Sequence, residues 1–313
     1  MSVSLKLTPT YHRDTYPSIS PTKPSLTQTG KTILITGGGG GLGFEIARSF
    51  AKASASRIIV VGRRAGFLDE AVGKLRDEFQ SGGTEFMAHQ ADIGSDTSIA
   101  SLWEFLHSQS ILIHVLVLNA THFSHNPPDT LSLAKSELMD AFNVNVGGNF
   151  LMAAKFVKQA LRPAGLQLFL INVSTLAIHT PVPMITSYGV SKAAFTGLVG
   201  RIANDRPVED VQIISFHPGT LYSEGASKFL DKDAFDWDEF ALPADFSVWA
   251  ASSEAAWLHG RFVWAHWDID ELKSDPEVLK RFEEEKGYLT VGVQGLTAAT
   301  IEPMFDRTDA KKN

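Results

Sequence analysis

Tyr188 and Lys192 stand four residues apart in the stretch SYGVSK, ahead of the apolar run AAFTGLVG. On a helix this spacing puts a phenol and an ammonium on one face, one turn apart. A free tyrosine, with its ordinary pKa of about 10, is too weak an acid to work unaided at neutral pH. A neighbouring ammonium favours the phenolate and moves the proton toward working range. The pair is therefore a candidate general acid with its tuning cation. An edge tyrosine beside a solvated lysine has the same spacing, so other parts of the chain must separate the two readings.

The second feature is TGGGGGLG, Thr36 to Gly43, directly after the β-branched run TILIT and opening the helical pattern LGFEIARSFAKA. A helix N-terminus at that point offers free N–H groups and the positive end of a dipole to a pyrophosphate. Glycines let the backbone approach phosphate without a Cβ in the way. A plain flexible turn is the alternative, and the order strand, glycines, helix favours a nucleotide. The next strand, RIIVVG, runs into Arg63 and Arg64 where an NAD-specific site usually carries an acid for the ribose 2′-hydroxyl. Two guanidiniums there suit a 2′-phosphate, so NADP(H) is expected, with NAD(H) as the alternative. Two solvated arginines at a helix entrance are the bland counterpart. The ten histidines show no HExxH or similar spacing, so no metal site is expected.

These residues need a scaffold, and the chain alternates strand and helix from Lys31 onward. Apolar runs at Thr32–Thr36, Arg57–Gly62, Thr84–Asp92, His114–Ala120, Leu166–Ser174, Val211–Gly219 and Gly260–Asp268 read as strands. Helical periodicity separates them, including a long pattern from about Leu133 to Leu161. Continuous apolarity marks strands buried on both faces, which predicts an α/β fold: one doubly wound parallel sheet of the Rossmann kind, a single domain of about seven strands. Met1 to about Gly30, rich in Ser, Thr and Pro, reads as an extension before the fold proper, with disorder as its bland counterpart and Tyr11, Tyr16 and Leu26 able to hold parts of it to the domain. The domain is expected over 31–270, with an insertion over the strand ends at about 221–259, then a helical segment and tail over 271–313.

Composition narrows the function classes. A net charge of −7 and a pI near 5.8 disfavour nucleic acid. Without cysteine there are no disulfides, thiol catalysis or thiolate metal sites. No window approaches the roughly 18 apolar residues of a membrane helix, and the N-terminus lacks a signal peptide's apolar core. A cytoplasmic enzyme of small molecules is expected.

Thr36-Gly37, three residues, then Gly41-Leu42-Gly43 resembles the TGxxxGxG loop of short-chain dehydrogenases/reductases, and Tyr188 with Lys192 resembles that family's YxxxK motif. The resemblance covers about Lys31 to Trp267. It implies a nicotinamide cofactor held by Gly37, Gly41, Leu42 and Gly43, with Asp92 at the adenine and Asn119-Ala120 resembling NNAG; here the motif reads LNAT. It implies that Lys192 also bonds the nicotinamide ribose beside Tyr188, and that Pro218, Gly219 and Leu221 bracket the carboxamide. It implies a hydroxyl that polarises the substrate carbonyl: Thr175 lies thirteen residues before Tyr188, and Ser174 is the alternative. Asn145 matches the asparagine that holds a relay water. Relatives assemble through the long helix and the Tyr188 helix, so a homodimer or homotetramer is expected. The chain ends, YHRDTYPSISPTKP and GRFVWAHWDIDEL, resemble fungal members, several tied to secondary metabolism.

Phe229, Phe235, Trp237 and Phe240 of the insertion, and His122, Phe123 and His125 of the loop THFSHNPPD, are candidate walls for an apolar or ring-bearing substrate. The aromatic residues serve equally to pack the insertion onto the core. The expected reaction interconverts a carbonyl and a secondary alcohol. Rivals are a cofactor sensor without turnover, and a lyase or epimerase using the same Tyr-Lys pair.

Overall fold

The computed structural model describes residues 7–228, 230–285 and 287–293. Seven parallel strands form one sheet in the order β3-β2-β1-β4-β5-β6-β7. They are β1 (Thr32–Thr36), β2 (Arg57–Gly62), β3 (Glu85–Gln90), β4 (Val115–Leu118), β5 (Leu168–Val173), β6 (Val211–His217) and β7 (Phe262–Trp264). Each sits where an apolar run was expected, β1 and β2 with the same bounds and the other five trimmed. The order reverses at β1, which pairs with β2 on one side and β4 on the other. The carboxyl ends of those strands open a crevice there, the usual ligand position of such sheets.

Alternation along each strand feeds two cores. Ile33 and Ile35 of β1 face one layer and Leu34 the other, as period-two geometry requires. One layer holds α1 (Gly41–Lys52), α2 (Ala65–Glu78) and α7 (Ala241–Ala250); the other holds α3 (Asp96–Ser108), α5 (Asn149–Val157) and α6 (Thr186–Asp205). The long pattern from Leu133 is α4 (Lys135–Phe142), then a widened π turn over Asn143–Gly148, then α5. The π turn lies where the helix meets the loop after β3: a Cβ on Gly148 would fall 1.8 Å from the Ile93 carbonyl oxygen, and Asn143 donates to the Gly94 carbonyl at 2.8 Å. Only a glycine permits that approach.

Residues 7–30 of the extension pack into the core. Ile19 and Leu26 are fully buried, and the Tyr16 hydroxyl donates to the Trp267 carbonyl at 3.1 Å. Thr10 binds Glu271 of α8 (Ile269–Ser274) through its N–H and its hydroxyl, and Lys23 pairs with Glu254 at 2.8 Å. A short α9 (Pro276–Glu284) follows α8. The segment expected as an insertion divides in two: residues 221–228 and 230–240 form turns and irregular chain over the strand ends, whereas α7 is buried at every position but its first. Asp245 of α7 accepts from Ser49 of α1 and from Thr15 of the extension, each at 2.6 Å, which fastens three segments together. Phe229 and residues 294–313 lie outside the described residues.

Candidate active site

A cleft of about 510 Å³ follows the carboxyl ends of the strands. Arg63 and Arg64 stand after β2, the glycine loop after β1, Asn119 and Ala120 after β4, Ser174 after β5, and Pro218 and Leu221 after β6; all line it, with Asp92, Tyr188 and Lys192. Four inter-strand spacings separate β2 from β6, about 19 Å, a span for an extended ligand. Gly43, Asn145, Thr175 and Gly219 are not on the lining surface and act on it through their neighbours.

The loop is tight because a side chain is excluded at its crossing point. A Cβ on Gly43 would meet the Gly37 carbonyl oxygen at 2.2 Å, so the first turn of α1 presses directly on the loop. Gly37 takes a φ of +69°, and its N–H donates to Val61 at 2.7 Å. No side chain caps α1, so its first-turn N–H groups are left for an anion. Asn119 fixes the loop from β4, donating to the carbonyls of Thr36 and Gly37 at 3.0 and 3.3 Å. The Thr36 hydroxyl accepts from the N–H groups of Asn119 and Ala120, both at 3.0 Å. Thr36 is therefore a site residue beyond its place in the motif. Phe67 is another that the sequence did not disclose: its ring lies against Gly39 and Gly40, and the Arg64 guanidinium stacks over it at 4.1 Å. Arg63 is exposed at the cleft rim. Asp92 accepts from Gly94 N–H at 2.9 Å, an Asx turn that sets its position. A glycine cradle, an uncapped helix start and rim guanidiniums fit a phosphorylated dinucleotide.

At the other end, burial pushes the Tyr188 pKa up to about 12, and a hydrogen bond with Thr175 pulls it back. Lys192, 2% exposed, is driven down to about 8 by burial, and its Nζ donates to the Val173 carbonyl at 2.5 Å. The Lys192 ammonium is thus turned to the end of β5, and Thr175 is the side chain that counters the effect of burial on Tyr188. The two candidate hydroxyls part company. Ser174 shares a buried hydrogen bond with Thr196 at 2.7 Å, while Thr175 reaches Tyr188 and accepts from Ala177 N–H at 3.2 Å.

Asn145 is fully buried in the π turn. Its Oδ1 accepts from the Thr121 hydroxyl at 2.9 Å and His122 N–H at 2.7 Å; its Nδ2 donates to the His122 carbonyl and to Ser191, both at 2.9 Å. Ser191 in turn donates to the Tyr188 carbonyl at 2.9 Å. The Asn145 side chain therefore joins the loop after β4 to the Tyr188 helix. Phe123 of that loop meets the Tyr188 ring edge-on at 5.1 Å, and His122 lines the cleft with its Nε2 3.0 Å from Glu137 of α4. His125 is exposed and is not on the lining surface. Of the aromatic residues after Leu221, Phe240 lines the cleft, whereas Phe235 packs on Trp237 and Trp237 on Tyr222. His217 is a packed strand-end residue against Trp264, at 4.8 Å.

The model of the short chain dehydrogenase family matches residues 31–234, which hold the glycine loop, Tyr188 and Lys192. The chain belongs to this family. Short chain dehydrogenase/reductase AacuD of Aspergillus aculeatus is 34% identical over 92% of this chain and 97% of its own. The short chain dehydrogenase/reductase nsrO of Aspergillus novofumigatus is also 34% identical, over 90% and 95%. Both relatives are fungal, in line with the resemblance carried by the chain ends. Among solved structures, the L-sorbose reductase of Gluconobacter frateurii, complexed with NADPH and L-sorbose, shares the fold with a TM-score of 0.67 at 20% identity, over 77% of this chain and 96% of that one. The RhlG/NADP complex of Pseudomonas aeruginosa does so with a TM-score of 0.69 at 22% identity, over 77% and 96%. As a short-chain dehydrogenase/reductase the protein is an oxidoreductase of a nicotinamide-binding family. Among the described residues no helix is long and apolar enough to cross a membrane, and no group of three His, Asp or Glu is arranged for a metal.

Proposed function

We propose that the protein is an NADP(H)-dependent oxidoreductase that interconverts a carbonyl and a secondary alcohol on an apolar or ring-bearing small molecule. The observation that carries this reading is one cleft with a glycine cradle and two arginines toward β2, and Tyr188, Ser174 and Lys192 toward β5, with Thr175 hydrogen-bonded to Tyr188 from outside the lining surface. NADP(H), when bound, supplies or accepts the hydride. Arg63 and Arg64 hold its 2′-phosphate, and Gly37, Gly41, Leu42 and Gly43 with the start of α1 hold the pyrophosphate. Asp92, Asn119 and Ala120 position the adenosine side, and Lys192 with Pro218, Gly219 and Leu221 the nicotinamide side. Solved neighbours complexed with NADP or NADPH support the cofactor by analogy of fold.

Tyr188, its pKa raised, is protonated at neutral pH, the form needed to give a proton to the substrate oxygen in reduction. Thr175 polarises that oxygen, and Ser174 is left to its bond with Thr196. Asn145 keeps the wall of His122 and Phe123 aligned with Tyr188. Phe123 and Phe240 supply the flat apolar contact for the substrate. Exposed Met139, Phe150 and Val190 on α4, α5 and α6 support assembly as a homodimer or homotetramer through that face.

The test is a fluorescence titration with NADPH and NADH on wild type and Arg63→Ala, followed by turnover on a panel of aryl ketones. NADPH binding that Arg63→Ala weakens is expected, with one NADPH consumed per alcohol formed. Equal NADH binding would sink the 2′-phosphate assignment. Product formed without cofactor consumption would favour the lyase or epimerase reading, and binding without any turnover the sensor.

A further inference from the structure

The N-terminal extension reaches the back of the cofactor cleft through a buried carboxylate and imidazole. Gly219, just after β6, has a φ of +103°, and a Cβ there would stand 2.7 Å from Asp238 Oδ2 and 3.1 Å from His266 Nε2. Glycine at this position is what lets the two side chains close on the loop. Asp238 Oδ2 accepts from Thr220 N–H at 2.7 Å, and Asp238 N–H donates to the Thr220 carbonyl at 2.9 Å. Residue 238 thus pairs with the loop in both directions. The same Oδ2 lies 2.9 Å from His266 Nε2, and the two side chains are only 5% and 1% exposed.

The extension closes the other side. The Tyr11 ring stacks on the His266 ring at 4.5 Å and 12°, and His12 N–H donates to the His266 carbonyl at 2.8 Å. Arg13 Nη1 stands 4.0 Å from Asp238 Oδ1, and the Arg13 carbonyl accepts from Glu239 N–H at 2.8 Å. None of Tyr11, Asp238 and His266 lines the cleft, whereas Pro218 and Leu221, on either side of Gly219 and Thr220, do. Any effect on a ligand must pass through the loop.

We propose that Asp238, His266 and Tyr11 are positioning residues that preset the Pro218–Leu221 loop for the nicotinamide half of the cofactor, which makes the extension part of the binding site. The inference rests on the dinucleotide reading of the cleft. A charge-assisted bond from Asp238 to the Thr220 N–H orders the loop before the ligand arrives. Binding then carries less of the entropic cost of ordering that loop. In the same reading the adenosine half is held from the loops after β1 and β2, away from the Pro218–Leu221 loop after β6.

The experiment compares two ligands on the full chain: NADPH, and 2′,5′-ADP, which fills only the adenosine half. Wild type, Asp238→Ala, Tyr11→Ala and Tyr11→Phe are titrated by calorimetry. Asp238→Ala and Tyr11→Ala are expected to weaken NADPH about tenfold or more, the loss of a hydrogen bond to a charged group or of its support. Their 2′,5′-ADP affinity should stay within about twofold of wild type, and Tyr11→Phe, which keeps the stacked ring, should behave as wild type. Should Asp238→Ala fail to fold, Tyr11→Ala on the partly exposed extension carries the test. Unchanged NADPH affinity in Tyr11→Ala overturns the inference, and so does parallel weakening of both ligands, the mark of general destabilisation. Wild type that binds neither ligand overturns the cofactor reading and this inference with it.

Discussion

The Lys192 ammonium donates to the main-chain carbonyl of Val173 at 2.5 Å, one residue before the pair Ser174 and Thr175. The lysine therefore secures the end of β5, and the phenol of Tyr188 is left with Thr175 and a desolvated environment.

Stability should depend on pH through this lysine. Burial lowers Lys192 from 10.5 to about 8, and Lys31 likewise, so the folded chain sheds protons that the unfolded chain still holds. Stability is then fully developed above the unfolded value and lost as pH falls through about 8. Denaturant titrations between pH 8 and 10 should show it rising with pH, by at most about 1.4 kcal/mol per pH unit for each such proton. Tyr188, raised to about 12, has the opposite sign and acts only above 10. Lys192→Met should flatten the rise. An unchanged slope would mean that the lysine is solvated.

Tyr188→Phe removes the proton donor and leaves the ring against Phe123. Carbonyl reduction should fall about 10²–10⁴-fold, the usual worth of general acid catalysis, while NADPH affinity is retained. A modest loss of kcat would assign the proton to another group.

Ser174 and Thr175 should separate in kinetics and stability. Thr175→Val is expected to cut kcat, and Thr175→Ser to restore it, since the hydroxyl rather than the methyl faces Tyr188. Ser174→Ala removes the 2.7 Å bond to Thr196 and should lower stability by about 1 kcal/mol with kcat nearly intact. The reverse pattern would exchange their roles.

Asp245 offers a test of how the extension is fixed. Its pKa is raised, chiefly by burial, so its contribution to stability is present below 3.8 and lost as pH rises through the folded value. Asp245→Asn should remove that pH dependence and cost within about 1 kcal/mol at pH 7, whereas Asp245→Ala, which orphans Ser49 and Thr15, should cost about 1–3 kcal/mol. Equal losses in the two variants would show that the hydrogen bonds are not what matters.

The sheet and the outline of the site were legible because their signals are local. Apolar runs punctuated by helical periodicity mark the strands. The glycines sit next to the helix they open, and Tyr188 and Lys192 share a face by spacing alone. Tertiary structure decided what depends on partners far along the chain. Ser174 and Thr175 are alike in sequence, and their partners divide them: Thr196, 22 residues beyond Ser174, and Tyr188 for Thr175. The extension reads as a Ser-, Thr- and Pro-rich segment that Tyr11, Tyr16 and Leu26 could hold to the domain, but nothing in it announces that Thr15 meets Asp245 across 230 residues. Spacing places Lys192 beside Tyr188 but does not name its acceptor: an ammonium this deeply buried takes a nearby one, and the fold presents the Val173 carbonyl. Periodicity records which face of an element is buried; it carries no record of what that face is buried against.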